Sequence, residues 1–201
     1  MSTSTTSHVP AAHPTVAAGN AAALAPLPTF AVDASHSSVG FGVKHLMITT
    51  VRGEFAAFAG TLQYDAARPE QTKLEATIEV ASINTREAGR DEHLRSPDFF
   101  DAATFPTMTF VSTSARRDGD GLVINGQLTI RGISKPVALM VSDLTAEQAD
   151  PWGNQRIGAT ARATILRSDF GMTWNAALEA GGVLVSDKVT LEIEASLVRR
   201  A

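Results

Sequence analysis

The 201-residue chain contains no cysteine, which excludes disulfides, thiolate nucleophiles, iron–sulfur clusters and cysteine-ligated zinc. It also has no excess of basic residues, because its formal net charge is −4 and its pI is near 5.7. Non-specific nucleic-acid binding needs a basic face, so we expect no nucleic-acid partner. No segment approaches the roughly 20 consecutive apolar residues of a membrane-spanning helix, and no stable membrane insertion is expected.

Charged residues are also absent from residues 1–28, which consist mostly of Ala, Ser, Thr and Pro. A secretion signal combines a basic first region with a continuous apolar stretch, and here Pro10, Pro14 and Gly19 interrupt every such stretch. We therefore predict a disordered tail over residues 1–28 and a single domain over residues 29–199. A cytoplasmic location is expected, with a periplasmic or secreted one as the alternative.

From Phe30 onward the apolar residues recur at every second position, which predicts strands. A clear example is the face formed by Leu74, Ala76, Ile78 and Val80, which alternates with charged and polar residues. Strands with one wet face are typical of antiparallel sheets. About eight such segments follow one another, which predicts an all-β, eight-stranded antiparallel barrel, since an open sheet would leave two exposed edges.

Two details of the strand pattern concern the barrel wall and its interior. Phe55 and Phe58 have opposite parity, which predicts a bulge at the two alanines between them. One predicted inward face carries three central alanines, at positions 159, 161 and 163. The volume that these small residues leave is either filled by large side chains such as Phe41, Phe58 and Phe110, or occupied by a ligand.

Residues 82–110 interrupt the strand pattern with helical and turn sequences, and they contain four of the nine phenylalanines. A short helix is predicted from Arg86 to Leu94, with an i,i+4 ion pair between Asp91 and Arg95. A second helical turn is predicted to begin at Ser96 and to end before Pro106. The barrel therefore carries short helices inserted around residues 85–104.

The charged residues of this insertion are Arg86, Arg90, His93 and Arg95, and they suit an anion or lipid head group. The alternative interpretation is a solvated helix surface with weak ion pairs. His93 has no paired nucleophile, and Asp91 does not share its helix face, so no catalytic residue is assigned. The spacing of the histidines matches no metal site, and no nucleotide-binding or other cofactor motif is present.

Four runs in the chain resemble the YceI-like, polyisoprenoid-binding, lipocalin-like family: SSVGFGVKHLMITTVRGEF, RDEHLRSPDFFDAATFPTMTF, LTIRGISKPV and SDFGMTWNAALEAGGVLVSDKVTLEIEASLV. The resemblance extends from about Thr29 to Val198 without large gaps. It implies a lipocalin-like barrel that holds a long isoprenoid, such as a polyprenyl diphosphate or a quinone tail, in an elongated apolar cavity. It also implies a possible homodimer, and it brings no catalytic residues.

The leading hypothesis is therefore non-enzymatic binding, transport or storage of a long-chain isoprenoid lipid, with residues 82–110 as a lid. The alternatives are an enzyme acting on a lipid-like substrate with His93 as acid or base, and a filled-barrel interaction module. Head-group candidates are Arg86, Arg90, His93 and Arg95. Residues predicted to line the cavity come from the inward strand faces and a late loop: Phe41, Val43, Phe58, Leu62, Ile78, Phe110, Ala161 and Trp174.

Overall fold

The computed structural model of the chain describes residues 25–177 and 182–200, so most of the predicted tail lies outside the described residues. The described part of the chain contains one α-helix, α1 (Ala88–Arg95), four short 3₁₀ helices and twelve strands. The strands are β1 (Thr29–Val32), β2 (Ser38–His45), β3 (Thr49–Phe55), β4 (Phe58–Gln63), β5 (Lys73–Glu79), β6 (Ile83–Asn84), β7 (Thr107–Asp118), β8 (Gly121–Ile130), β9 (Ile133–Ser142), β10 (Gln148–Ala149), β11 (Gln155–Leu166) and β12 (Val185–Arg199).

The strands close into a ring because β11 pairs with β9 on one side and with β12 on the other. Three positions of the ring are each formed by two short strands that follow one another along the wall. These are β1 and β2, β3 and β4, and β5 and β6. The result is the predicted all-β, eight-stranded antiparallel barrel, which is confirmed. Closure gives every ring strand a neighbour on both sides, which removes the exposed edges of an open sheet.

The break between the two short strands of a ring position can be traced to the local sequence. The break between β3 and β4 falls at Ala56 and Ala57, where the change of parity predicted a bulge. Ser82, in the 3₁₀ turn between β5 and β6, satisfies this break by accepting the Ala56 N–H on its carbonyl (3.1 Å) and the Ala57 N–H on its Oγ (3.0 Å). The wall can therefore bend here without leaving these backbone groups unpaired.

The insertion between β6 and β7 contains α1, and the segment after it forms turns instead of the predicted second helix. Asp101 has a left-handed backbone (φ 50°), which a continuing helix does not allow, and its N–H returns to the Ser96 carbonyl. Residues 88–106, here called the lid, cross the end of the barrel where β7 and β9 begin. We call this the lid end, and the opposite end, where β8 and β11 begin, the far end.

No helix within the described residues is long and apolar enough to cross a membrane.

Candidate ligand-binding cavity

An apolar cavity of about 250 Å³ lies inside the barrel. Its lining extends from Leu62 and Leu197 near the far end to Val185 and Met172 at the lid end. Because the strands alternate, each ring strand contributes only its inward-facing side chains, which are almost all apolar. Apolar cavities of comparable size stay free of water and accept apolar guests, so this interior suits a hydrocarbon ligand.

The cavity exists because the two sides of the barrel interior are packed differently. On the β7–β9 side the inward side chains are large and buried, as for Ile124, Leu128 and Leu139. On the β11–β12 side, Ala159 and Ala161 are only half-buried although they face inward and line the cavity. Small side chains on one side therefore leave space that the large side chains opposite do not reach.

Two of the three phenylalanines that could have filled the interior lie against glycines of the neighbouring strands. A Cβ atom built on Gly53 would overlap the Phe41 ring, and one built on Gly126 would overlap the Phe110 ring. Each ring therefore occupies the position of a missing side chain on the neighbouring strand, as in the pairing of aromatic residues with strand glycines. Both rings contribute apolar wall while the space beside Ala161 stays open.

The structure places seven of the eight predicted lining residues on the cavity wall: Phe41, Val43, Phe58, Leu62, Ile78, Phe110 and Ala161. Trp174 does not line the cavity. Its ring packs against those of His93 (4.8 Å between centroids) and Phe99 (5.3 Å), on the lid. Trp174 therefore packs on the lid, and strand periodicity does not predict that arrangement.

The lid closes the cavity with apolar side chains, because Leu94, Phe99 and Phe100 line it from the lid end. Phe100 also packs edge-on against Phe55 of β3, with ring centroids 5.8 Å apart. His93 lies outside the lining, with its Nε2 2.9 Å from Asp98 Oδ2. Phe99 and Phe100 therefore face the cavity, while His93 pairs with a carboxylate outside it.

The arginines of the lid bond to backbone instead of lining the cavity. Arg95 donates to the carbonyls of Ala81 (2.9 Å) and Ile83 (2.8 Å), and Arg90 donates to the carbonyl (2.8 Å) and hydroxyl (2.7 Å) of Thr85. The predicted Asp91–Arg95 ion pair does not form. Asp91 is buried and instead accepts hydrogen bonds from the N–H and hydroxyl of Thr85.

Arg86 and Arg90 also line a groove on the outer surface, beside Arg52 and Arg162. None of these four arginines belongs to the cavity lining. The four head-group candidates are therefore not brought together inside the barrel, and a role for them in ligand binding stays a prediction.

A charged residue that the sequence reasoning missed, Arg167, does line the cavity. It is only 6% exposed, and its guanidinium donates to the carbonyls of Met172 (2.6 Å), Trp174 (2.8 Å), Ser186 (3.0 Å) and Val185 (3.4 Å). Burial lowers the pKa of Arg167, although arginine stays protonated at neutral pH. Within residues 25–177 and 182–200 no carboxylate forms an ion pair with this guanidinium, although the negative charge of Asp187 favours its protonated form, so a positive charge lies at the lid end of the cavity.

The sequence could have identified Arg167 as a residue that faces the barrel interior. The inward residues of β11 are odd-numbered, from Ile157 to Ile165, and Arg167 continues that parity by one step. At the other end of the cavity Tyr64 also lines the wall, and burial raises the pKa of its phenol. The remaining charged residue of the lining, Glu194, is exposed.

Together these features define a lipocalin-like antiparallel barrel with an internal apolar cavity and a lid at one end. The family model of the YceI-like domain matches residues 30–197, and the chain belongs to this family. Protein YceI of Escherichia coli O157:H7 is 41% identical over 140 residues, which are 70% of this chain and 73% of that protein.

Solved structures share the fold. BcnA of Burkholderia cenocepacia superposes with a TM-score of 0.71 and 26% identity, over 82% of this chain and 98% of that one. A polyisoprenoid-binding domain from Saccharophagus degradans, implicated in plant cell wall breakdown, has a TM-score of 0.59 at 17% identity, over 87% of this chain and 99% of that one. At that identity the second comparison concerns the fold alone.

Proposed function

We propose that this protein binds a long-chain isoprenoid lipid inside its barrel and acts as a non-enzymatic carrier or store. The observation that carries the proposal is the apolar cavity of about 250 Å³, with a wall of aliphatic and aromatic side chains and a lid. Membership of the YceI-like family and the fold shared with a polyisoprenoid-binding domain support it. Cytoplasmic location and homodimer formation stay predictions.

Hydrocarbon burial supplies the affinity in this proposal. Each methylene moved from water into the cavity contributes about 0.8 kcal/mol. Immobilising a ligand costs on the order of 4–15 kcal/mol, so a chain of many carbons is needed before binding becomes tight. A cavity that extends from one end of the barrel toward the other suits such a chain better than a compact ligand.

The polar end of the ligand is proposed to lie beside Arg167. An arginine has five N–H donors, and the four carbonyl bonds of Arg167 include one of 3.4 Å from Nη2. Nη2 therefore retains capacity for an oxygen of a phosphate, hydroxyl or quinone carbonyl. The opposite orientation would place that oxygen near Leu62, Leu197 and Tyr64, where a neutral phenol replaces the guanidinium and the stronger, charge-assisted hydrogen bond is lost.

An enzyme that uses His93 as acid or base is the weaker alternative. His93 lies outside the cavity lining, and its Nε2 is paired with Asp98. No observation on the cavity wall favours this function over binding.

The test is equilibrium binding of geranylgeraniol to the purified, delipidated protein, with Ala161→Phe as the critical variant. A phenyl group at Ala161 would fill the open space, so we expect the affinity to fall by at least about tenfold, or 1.4 kcal/mol. Thr164→Phe is the matched control, because Thr164 lies on the same strand but points outward and is exposed. Wild-type protein that refuses the lipid, or equal loss in both variants, would overturn the proposal.

The orientation is tested in the same assay with geranylgeranyl diphosphate as a second ligand. Wild-type protein is expected to prefer the diphosphate, and Arg167→Gln is expected to lose this preference while it still binds geranylgeraniol. Arg167→Lys keeps the charge and should retain part of the preference. An unchanged preference in Arg167→Gln would contradict the orientation and leave lipid binding itself standing.

A further inference from the structure

The hairpin that joins β2 to β3 exposes three consecutive apolar residues at its tip. The exposed fractions are 38% for Leu46, 61% for Met47 and 75% for Ile48. The Leu46 N–H donates to the Leu184 carbonyl (2.9 Å), which holds Val183, itself 42% exposed, near the same surface. We call these four residues the apolar tip. Large apolar side chains exposed side by side mark an interaction surface more often than isolated ones do.

The backbone of this turn does not explain its residues. Ile48 N–H donates to the His45 carbonyl (3.0 Å), and both central residues have positive φ, 53° at Leu46 and 58° at Met47. Positive φ at both central positions is typical of a type I′ hairpin turn, in which Asn-Gly is strongly preferred. A branched and a long apolar side chain are strained in this conformation. The chain therefore keeps an apolar tip at the expense of turn stability.

Basic residues surround the apolar tip. Lys44 pairs with Thr50, and Arg52 pairs with Gly42, so both cations point outward from the same face of the hairpin. Lys188 lies beside them on β12, where it is also exposed. Residues 43–53 contain Lys44 and Arg52 but no Asp or Glu, and the carboxylates beside Arg52, those of Glu54 and Glu192, lie on its side away from the tip. The nearby carboxylate of Asp187 accepts bonds from the N–H and hydroxyl of Ser168.

We propose that the apolar tip docks the barrel onto an anionic lipid bilayer. Met47 and Ile48 enter the interfacial region, and Lys44, Arg52 and Lys188 lie among the negatively charged head groups. The tip is at the lid end, because His45 pairs with Val185, whose carbonyl accepts from Arg167. Docking would therefore hold the lid end of the cavity toward the bilayer. The role of this docking rests on the proposed function, since a lipid carrier must exchange its ligand with a membrane.

A second copy of the chain fits the apolar tip less well than a bilayer. A stable dimer buries about 20–30 residues on each side, whereas the tip offers four apolar side chains. Two copies meeting at this surface would also bring like charges together around Lys44 and Lys188. An anionic bilayer instead complements these charges and needs only a small inserted area.

The test is co-sedimentation of the full chain with vesicles of pure phosphatidylcholine or of phosphatidylcholine with 30% phosphatidylglycerol. The critical variant, Leu46→Asn/Met47→Gly, installs the preferred type I′ residues. It is expected to unfold at a higher temperature than wild type and yet to bind vesicles at least about tenfold more weakly, because it loses two apolar side chains. Trp152→Asp is the matched control, since Trp152 is 79% exposed but lies at the far end.

Charge is tested with Lys44→Glu, which should weaken binding to the phosphatidylglycerol vesicles by about fivefold and leave pure phosphatidylcholine binding little changed. No vesicle binding by wild type, unchanged binding in Leu46→Asn/Met47→Gly, or equal loss in Trp152→Asp would each overturn the proposal. So would a tip variant that converts a dimer to a monomer in light scattering, because the surface would then join two copies. Geranylgeraniol binding without vesicles is measured in parallel, so loss of docking and loss of cargo binding are distinguished.

Discussion

The two ends of the barrel are closed in different ways. At the far end the ring strands themselves supply the closure, because Phe30, Leu62, Ile157 and Leu197 belong to β1, β4, β11 and β12 and pack into one buried cluster. At the lid end the closure comes from residues outside the ring. Leu94, Phe99 and Phe100 are carried by the lid, and side-chain contacts fasten them to the barrel.

The fastenings differ in kind as well. Outside the far-end cluster, Arg156 bridges Asp33 (2.6 Å) and Asp150 (2.7 Å), so the start of β11 is tied to both neighbouring segments. The lid is fastened by Arg131, which donates to the carbonyls of Pro97 (3.1 Å) and Phe99 (2.6 Å). Opening the far end would break ring pairing, whereas the lid can separate from the ring without doing so. Ligand exchange is therefore expected at the lid end.

The largest effect is expected from Phe30→Ala at the far end. Phe30 is 2% exposed and packs within the ring, so its loss should lower the free energy of unfolding by about 3–5 kcal/mol. Chemical denaturation followed by circular dichroism measures this change. A loss below about 1 kcal/mol would show that the far-end cluster is not an integral part of the ring core.

The lid counterpart, Phe99→Ala, is expected to act on exchange more than on stability. Phe99 is 7% exposed, but it belongs to a segment that can open locally without unfolding the barrel. We expect geranylgeraniol to dissociate about tenfold faster, with a smaller loss of global stability than in Phe30→Ala. Stopped-flow displacement measures the rate. If Phe30→Ala speeds release and Phe99→Ala does not, the two ends have the opposite roles.

The sequence predicts the closure of the far end better than it predicts the contacts of the lid. Closure at the far end follows from alternation, since Leu62 and Leu197 are inward positions of regular strands. The lid was predicted from the break in strand alternation over residues 82–110 and from the four phenylalanines in that range. The partners of Arg90, Arg95 and Asp91 were not predicted, because a search for opposite charges at helical spacing does not consider backbone carbonyls or Thr85, which lies just before α1.

Arg131 allows a smaller and more specific change at the lid. Arg131→Gln removes two charge-assisted bonds to the carbonyls of Pro97 and Phe99, and it should weaken lid closure by about 1–2 kcal/mol. Hydrogen exchange of the lid amides should then be about tenfold faster. The matched control is Arg117→Gln, because Arg117 donates to the Ala66 carbonyl (2.9 Å) at the far end. Equal acceleration of lid exchange in both variants would contradict a role specific to Arg131.

The smallest effect is the dependence of far-end stability on pH. Hydrogen bonds from Ser35 and Arg156 hold the pKa of Asp33 well below its usual range, and those from Arg156 and Asn154 do the same for Asp150. A lowered folded-state pKa stabilises the fold fully above the unfolded value of about 3.9, and this contribution is lost as the pH falls further. The melting temperature should therefore decline below about pH 4, and less steeply in Asp33→Asn. Arg131 fastens the lid through carbonyl acceptors that do not titrate, so the effect of Arg131→Gln on lid exchange should be the same at pH 7 and at pH 4, and an effect that shrinks as the pH falls would contradict this fastening.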